Sequence, residues 1–252
     1  MIIDTFLTPY FPETDDQFSD SIVVMIDVLR ASTTAAAAIM NGAKEVIPTD
    51  SLDKAVKIYS SLSKEIRFLG GERNGLKPSG FDAGNSPLEY TEKQVKGKTV
   101  ILTTTNGTKT FLKAKLAAVK LIAGFVNHQV IINYLVKKIE EMSADNPDLK
   151  IFFLCAGTNG RLSYEDMICA GALIYELQNQ YRKIEITDPS DASKNLYLIH
   201  RHNLKEFLGQ RDHAKKLKEI GFAHDIDIAF TFNAYPVVIS VNAGSIKKIE
   251  NI

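Results

Sequence analysis

The chain has 252 residues, of which 45% are hydrophobic and 24% are charged. These proportions are typical of an ordinary globular protein and exclude a disordered, collagen-like or coiled-coil chain. The 30 Lys and Arg residues balance the 30 Asp and Glu residues, so no net field attracts nucleic acid or an anionic membrane. Any anion that binds must therefore be bound at a local site.

The sequence also limits the cellular location and the partners. No apolar run approaches the roughly 20 residues that span a bilayer, and residues 1–4 lack the basic start of a secretory signal. Two cysteines, Cys155 and Cys169, are too few for a disulfide framework and lack the spacing of a structural zinc site. We expect a cytoplasmic protein without nucleic-acid or membrane partners, and a homodimer is a further hypothesis.

Predicted strands and helices alternate along the chain. Continuous apolar runs predict strands buried on both faces at residues 21–26, 99–103, 151–154 and 236–241. Shorter strand candidates are residues 45–48, 66–69 and 119–122. Helical spacing predicts helices at residues 52–64, 107–116, 127–142 and 163–178, with an Ala-rich helix after residue 30 and polar helical structure over 188–221. The alternation predicts an α/β fold, layered α/β/α around a mixed, largely buried sheet.

Residues 143–148 are the best candidate for a linker. Asn and Asp in this segment favour turns, and Pro147 prevents a helix from continuing through it. We therefore expect one compact catalytic unit over residues 1–252. A division into two similar lobes around a cleft, 1–144 and 145–252, is a further hypothesis.

Two similar segments follow apolar strands and precede helices. Residues 103–108 and 155–161 both contain Thr-Asn-Gly. One interpretation is that Asn-Gly simply makes two turns. The other is that backbone N–H groups of two similar strand-to-helix turns face one cleft and bind an anion there.

Residues 27–34 join a buried strand to the Ala-rich helix, and open α/β sheets bind ligands at that edge. Asp27 is a candidate ligand for a hard cation, or a nucleophile toward phosphorus. Arg30 and the hydroxyls of Ser32 and Thr33 are suited to anionic oxygens. In the structural alternative, Asp27 and Ser32 cap the helix and Arg30 pairs with an aspartate.

Residues 70–87 form a long irregular segment that is rich in Gly, Pro and both signs of charge. Long irregular loops within compact domains are usually functional. Glu72 and Asp82 supply the oxygen ligands that Mg²⁺ prefers. Arg73 and Lys77 suit an anionic substrate.

Residues 155–161 have the C-x5-R spacing of cysteine-dependent phosphatases, in which a thiolate attacks phosphorus. Leu154 stands where those enzymes usually carry histidine, and Cys155 ends an apolar run in which a buried cysteine is common. We therefore favour a buried cysteine over a nucleophile.

Further along the chain, Ser163 and Asp166 have the spacing of a helix capping box, which leaves Glu165 as the freer carboxylate. The five histidines show no metal-binding spacing and are expected to be surface or core residues. Residues 224–227 either form a turn or bring carboxylates to the cleft.

Taken together, these segments resemble the 2-phosphosulfolactate phosphatase family of coenzyme M biosynthesis. The matching blocks are residues 26–34, 71–75, 84–87, 104–108 and 155–161. Five blocks in one order are much more specific than any one of them. The resemblance implies an α/β, Mg²⁺-dependent acid phosphatase that hydrolyses 2-phosphosulfolactate to 3-sulfolactate and phosphate.

The resemblance also implies roles for individual residues. Asp27, Glu72 and Arg30 are the expected catalytic residues, and Asp82 joins Asp27 and Glu72 as an expected Mg²⁺ ligand. The expected substrate-binding residues are Ser32, Thr33, Arg73, Asn74, Asn85, Thr105, Asn106, Gly107, Thr158, Asn159, Gly160 and Arg161. Residues 27–29 lack the Asp-x-Asp of the haloacid dehalogenase phosphatases, so we favour a metal-activated water over Asp27 as the nucleophile.

Two other functions fit the same segments. The enzyme either hydrolyses another small phosphorylated hydroxy acid, or the protein is a non-catalytic anion-binding protein that has kept the two turns. Phosphate release with and without Mg²⁺ separates an enzyme from a binding protein.

Overall fold

The computed structural model describes residues 1–12, 14–181 and 183–250. Its strands are β1 (Ile2–Phe6), β2 (Ile22–Ile26), β3 (Glu45–Thr49), β4 (Arg67–Gly71), β5 (Thr99–Thr103), β6 (Val119–Ala123), β7 (Lys150–Cys155), β8 (Glu185–Ile186), β9 (Ile239–Asn242) and β10 (Ser245–Lys248). Its helices are α1 (Ala31–Met40), α2 (Leu52–Ser61), α3 (Glu92–Val95), α4 (Gly107–Phe111), α5 (His128–Ser143), α6 (Tyr164–Gln180), α7 (Asp188–His200), α8 (Leu204–Gly209), α9 (Asp212–Glu219) and α10 (Ala223–Ala229).

The described strands form one mixed sheet in the order β4-β5-β3-β10-β9-β6-β2-β7-β1-β8. Strands β4, β5 and β3 are parallel to one another, and so are β6, β2, β7, β1 and β8. The antiparallel hairpin of β9 and β10 joins these two parallel blocks. The fold is therefore the predicted α/β architecture with a mixed sheet.

The side chains of β2 show why helices cover both faces of the sheet. Ile22, Val24 and Ile26 point to one face, where they join a core with residues of α5 and α6. Val23 and Met25 point to the other face and pack with alanines of α1. Because successive residues of a strand alternate between faces, an unbroken apolar run belongs to a strand with helices on both sides.

The structure confirms most of the predicted elements and changes several bounds. The predicted helix 107–116 ends at Phe111, and Ala114 beyond it has a positive φ of 54°. The predicted strand 236–241 begins three residues later and ends one residue later than expected, at Ile239–Asn242. The region 188–221 contains three helices, α7, α8 and α9. The sequence does not predict β1, β8, β10, α3 or α10, which are short or expose polar residues.

Two further expectations concern the whole chain. Among the described helices, none combines the length and the hydropathy needed to cross a membrane. The division into lobes 1–144 and 145–252 stays a prediction, as does the homodimer.

Candidate active site

The residues that follow β2, β4, β5 and β7 meet at one polar pocket, which we call the main pocket. Helix α9 supplies the remaining wall. The lining residues are Asp27, Leu29, Arg30, Glu72, Asn74, Gly75, Asn85, Thr104, Thr105, Asn106, Thr158, Asn159, His213, Lys216, Leu217 and Ile220. The pocket thus collects loops from both parallel blocks of the sheet, at the strand ends where α/β proteins bind ligands.

Asp27 follows β2 directly and is 6% exposed. Its backbone N–H donates to Ser32 Oγ at 2.9 Å, and its Oδ1 accepts from the Ala31 N–H at 3.2 Å. One oxygen of this carboxylate therefore has the structural role that the sequence analysis considers for Asp27, because it binds the backbone at the start of α1. The other oxygen, Oδ2, faces the start of α4, where any Cβ on Gly107 would collide with it.

The surroundings of Asp27 disfavour its charge. Burial raises the pKa of Asp27 to about 6; the charge of His213 opposes this shift, while Glu72 and Glu165 add to it. Removing a carboxylate from water and placing it among other carboxylates costs free energy. Carboxylates collected in this way are typical of functional sites.

Glu72 follows β4 and connects two loops of the main pocket. Its Oε1 accepts from the Thr105 N–H at 2.7 Å, and its Oε2 accepts from the Gly75 N–H at 2.6 Å. The Glu72 N–H itself donates to the Thr103 carbonyl at 2.9 Å. Glu72 thereby fixes the turn after β5 against the irregular segment 70–87.

Arg30 is held by protein partners, as the structural alternative expects. Its Nη1 donates to Asp225 Oδ2 at 2.6 Å and its Nη2 to the Gly75 carbonyl at 2.9 Å. Its guanidinium stacks 4.2 Å from the centroid of the Phe222 ring. Asp225 also accepts from Ser86 Oγ at 2.6 Å. From the sequence, Asp225 is considered only within the segment 224–227, and its pairing with Arg30 is not predicted.

Glu165 and His213 form a pair beside Asp27. Glu165 Oε1 lies 2.7 Å from His213 Nδ1, and Thr158 Oγ1 lies 3.1 Å from the same nitrogen. Burial opposes the imidazolium, but hydrogen bonding and charge from Glu165 outweigh it, so the pKa of His213 is raised. Burial likewise opposes ionisation of Glu165, yet His213 lowers its pKa. The sequence predicts a surface or core histidine at this position, whereas the structure places His213 in the lining of the main pocket.

Asp166 joins the ends of β2 and β7. Its Oδ1 accepts from the Val28 N–H at 2.8 Å and its Oδ2 from the Gly157 N–H at 3.0 Å. The expected capping box is therefore wrong, since Ser163 makes no side-chain cap either. Burial, followed by the charges of Asp27 and Glu165, raises the pKa of Asp166 well above its usual range.

Several other predicted residues also line the main pocket. Asn85 Oδ1 and Thr105 Oγ1 are buried and have no hydrogen-bond partner among the described residues. A buried polar atom without a partner points to a bound water, ion or substrate. The other predicted residues that line the pocket are Asn74, Asn106, Thr158 and Asn159.

Some predicted residues lie outside the main pocket. Asp82 is exposed, and its Oδ2 accepts from the Leu69 N–H at 2.7 Å. Arg73 donates to the Glu72 carbonyl at 2.6 Å and to Thr103 Oγ1 at 2.9 Å. Thr33 Oγ1 donates to the Val28 carbonyl at 2.8 Å.

The remaining predicted residues also lie beyond that pocket. Ser32 holds the backbone of Asp27, and Gly107 packs against the Asp27 carboxylate without itself lining the pocket. Gly160 and Arg161 belong to a turn whose backbone is closed by two hydrogen bonds between residues 158 and 161. Of these residues, Arg161 lines a neighbouring pocket.

Cys155 is fully buried at the end of β7 and does not line the main pocket. Burial, followed by the charge of Asp166, raises the pKa of the Cys155 thiol well above its usual range. A nucleophilic cysteine needs the thiolate, which this environment disfavours. The burial of Cys155 therefore agrees with the prediction from sequence that it is a buried cysteine and not a nucleophile.

The charges that line the main pocket leave an excess of carboxylate. Arg30 is neutralised by Asp225, and His213 is paired with Glu165. The remaining charged residues that line the pocket are the carboxylates of Asp27 and Glu72 and one cation, Lys216, which makes no ion pair with the described residues. Among those residues, no group of three or more His, Cys, Asp or Glu is placed to hold a metal ion. Two carboxylates still suit Mg²⁺, which is usually bound through one or two carboxylates, several waters and substrate phosphates.

A polar pocket with two buried carboxylates and an imidazole–carboxylate pair, at the carboxyl ends of parallel strands, defines an α/β enzyme. The family model described as 2-phosphosulpholactate phosphatase matches residues 7–244. The chain therefore belongs to the 2-phosphosulfolactate phosphatase family, a family of phosphoric monoester hydrolases.

Individual relatives agree with the family model. A probable 2-phosphosulfolactate phosphatase of Caldanaerobacter subterraneus subsp. tengcongensis is 36% identical over 251 residues, which cover 100% of both chains. One from Clostridium perfringens, strain SM101, is 35% identical over 254 aligned positions, covering 100% of this chain and 98% of the relative. One from Thermotoga maritima is 36% identical over 215 residues, covering 85% and 86% of the two chains. The resemblance expected from the five sequence blocks is thus confirmed.

Proposed function

We propose that this protein is a Mg²⁺-dependent phosphatase that hydrolyses 2-phosphosulfolactate to 3-sulfolactate and phosphate. The observation that carries the proposal is the main pocket, where Asp27 and Glu72 lie beside the Thr-Asn-Gly turn after β5. The names of the relatives support the substrate. With this activity the enzyme belongs to coenzyme M biosynthesis, and we propose a cytoplasmic location.

The donor set of the main pocket fits a divalent cation. A phosphorylated substrate entering the pocket meets the carboxylates of Asp27 and Glu72, which repel an anion. Asp27 and Glu72 would hold Mg²⁺, which would remove this repulsion and supply positive charge to the phosphoryl oxygens. Asn85 Oδ1, which is buried and has no hydrogen-bond partner in the described part of the chain, is an additional oxygen ligand for the cation. Asp82 is left out of the proposed ligand set because its carboxylate is exposed and bonded to Leu69.

Hydrolysis also needs a proton donor for the leaving group and groups that bind the phosphoryl oxygens. The bond between phosphorus and the substrate oxygen breaks as water attacks phosphorus, and the departing oxygen needs a proton. His213 is suited to donate it, because Glu165 holds Nδ1 while Nε2 has no partner among the described residues. Thr105 Oγ1 and Asn85 are placed to bind the phosphoryl group or water.

The metal requirement is tested by phosphate release from 2-phosphosulfolactate. We expect EDTA to abolish release and added Mg²⁺ to restore it. Cys155→Ala is expected to keep the rate within about threefold of wild type, because the buried thiol lies outside the pocket. An activity that resists EDTA and is lost in Cys155→Ala instead indicates a thiolate mechanism.

The same assay distinguishes the alternative functions. A panel of phosphorylated hydroxy acids that includes 2-phosphosulfolactate ranks the substrates by kcat/KM. A higher kcat/KM for another member assigns that compound as the substrate. Failure to release phosphate from any member, with and without Mg²⁺, leaves the non-catalytic anion-binding protein.

The pH dependence tests the role of His213. Its raised pKa favours the imidazolium, so a proton-donating His213 loses function as the pH rises through that pKa. We expect kcat/KM to fall on the alkaline side in wild type. Glu165→Gln removes the charge that raises the pKa, so the alkaline fall is expected to move to lower pH. His213→Gln is expected to lower kcat by on the order of 10²–10⁴-fold.

Glu219→Gln is the matched control, because Glu219 is exposed at the end of α9 and lies outside the main pocket. Its pH profile is expected to match that of wild type. An alkaline limb that stays in place in Glu165→Gln excludes His213 as the proton donor.

A further inference from the structure

A second polar pocket, the side pocket, adjoins the main pocket. Its lining residues are Thr158, Asn159, Arg161, Leu162, Ser163, Tyr164, Glu165, Gln210, Arg211, Asp212 and His213. Three of these residues, Thr158, Asn159 and His213, also line the main pocket. The two pockets are therefore neighbours, separated by these three side chains, and a small molecule in the main pocket can extend past them into the side pocket.

Arg211 brings an uncompensated guanidinium to the side pocket. Its charged group lies 4.4 Å from the centroid of the Phe207 ring and 5.7 Å from that of Tyr164. Its Nε donates to the Phe207 carbonyl at 3.1 Å. Neither of its terminal nitrogens has a hydrogen-bond partner or an acidic partner among the described residues. The aromatic rings thus hold the guanidinium in place while its bidentate edge stays available.

The other arginines considered for anion binding differ in this respect. Arg30 and Arg73 donate to protein oxygens in and around the main pocket. Arg161, in contrast, lines the side pocket with no side-chain hydrogen bond or ion pair to the described residues. Of the four arginines compared, the two whose terminal nitrogens make no hydrogen bond or ion pair with the described residues, Arg161 and Arg211, line the side pocket.

The acids that line the side pocket do not cancel these two cations. Glu165 is paired with His213 and so contributes no excess charge. Asp212 is exposed at the first turn of α9 and makes no ion pair with the described residues. Two arginines against one carboxylate leave the side pocket positive.

We propose that the side pocket binds the sulfonate of the substrate, with Arg211 as its principal contact and Arg161 beside it. This assignment rests on the proposed function. In 2-phosphosulfolactate the sulfur is one bond farther from phosphorus than the carboxylate carbon is. With the phosphoryl group in the main pocket, the sulfonate is the group that reaches the adjoining pocket. Its three oxygens share a full charge and match the guanidinium fork.

The test compares two substrates that differ only in the sulfonate. Arg211→Gln is expected to lower kcat/KM for 2-phosphosulfolactate by on the order of 10- to 100-fold. The loss for 2-phospholactate, which keeps the phosphate and the carboxylate, is expected to be far smaller. Arg211→Lys is expected to recover only part of the activity, because an ammonium group cannot make the bidentate contact. Equal losses on both substrates, or no loss on either, overturn the assignment.

Lys215→Gln is the matched control. Lys215 is an exposed cation on α9, four positions after Arg211, and it lines neither pocket. Its kcat/KM for each substrate is expected to match that of wild type. Melting temperatures of all the variants confirm that a loss of activity does not come from unfolding.

Binding measurements separate this proposal from the proposed function. Calorimetric titration with 3-sulfolactate, in the presence of Mg²⁺, needs no turnover. We expect Arg211→Gln to bind 3-sulfolactate on the order of tenfold more weakly than wild type, whereas lactate binding is unchanged. Equal affinities of the two proteins for 3-sulfolactate, or no binding by wild type, overturn the sulfonate site. Failure of wild type to release phosphate overturns the proposed function alone.

Discussion

Asp27→Asn is expected to lower kcat for phosphate release by on the order of 10³-fold or more. Asparagine has the shape of aspartate and keeps an oxygen that can accept from the Ala31 N–H, as Oδ1 does in the wild-type protein. It lacks the charge that we propose binds Mg²⁺ in the main pocket. The measurement is initial-rate phosphate release at saturating Mg²⁺ and substrate.

The same substitution is expected to leave the fold intact and to stabilise the metal-free protein. The pKa of Asp27 is raised to about 6 from an ordinary 3.8. Its ionised form therefore destabilises the folded state, and the full cost is present above the folded pKa. Asp27→Asn should raise the free energy of unfolding at pH 7 in EDTA by on the order of 1–3 kcal/mol.

Asp4→Asn is the control for Asp27→Asn. Asp4 lies on β1 of the same sheet and accepts hydrogen bonds from Thr5 and Thr187, away from the main pocket. Its kcat is expected to stay close to wild type. If Asp27→Asn instead melts at a much lower temperature and its folded fraction keeps the wild-type rate, Asp27 is a helix cap and not a catalytic residue.

Asp225→Ala is expected to lower the free energy of unfolding by about 3–5 kcal/mol, the usual cost of leaving a buried charge without its partner. The side chains of Arg30 and Asp225 are each 2% exposed in their ion pair. For a protein of this size the loss corresponds to a fall in melting temperature of roughly 6–20 °C. Denaturant unfolding and differential scanning calorimetry measure the two quantities.

Asp227→Ala is the matched control on the same helix, because the Asp227 side chain is 75% exposed. Its effect is expected to stay within about 0.5 kcal/mol. The double variant Arg30→Met with Asp225→Ala should be more stable than Asp225→Ala alone, since no unpaired charge remains buried. If Asp225→Ala and Asp227→Ala change the free energy of unfolding equally, the buried Arg30–Asp225 pair does not stabilise the fold around the main pocket.

The sequence by itself determined the α/β class and the main framework of the sheet. The central residues of β2, β5 and β7 form continuous apolar runs, because a strand covered on both faces has no side exposed to water. That information is local, so a short window of residues contains it. Strand β10 lacks such a run, since Lys247 and Lys248 are exposed and Ile246 is the one apolar residue among its four.

The sequence also located part of the main pocket. Asp27, Glu72 and Asn106 each follow a predicted strand by one to three residues, so the direction of the strands brings them to the ligand-binding edge. Residue type alone was a weaker guide. As a carboxylate, Asp82 is a predicted Mg²⁺ ligand, but its Oδ2 accepts a hydrogen bond from the backbone N–H of Leu69.

Only the tertiary structure decided which charges are neutralised and which remain available. Arg30 meets Asp225 across 195 positions of sequence, and Glu165 meets His213 across 48. A pair formed by packing between distant helices and loops leaves no periodic signal in either segment. Arg211 carries the same charge as Arg30 in the sequence, yet packing gives Arg30 an acidic partner and gives Arg211 none among the described residues.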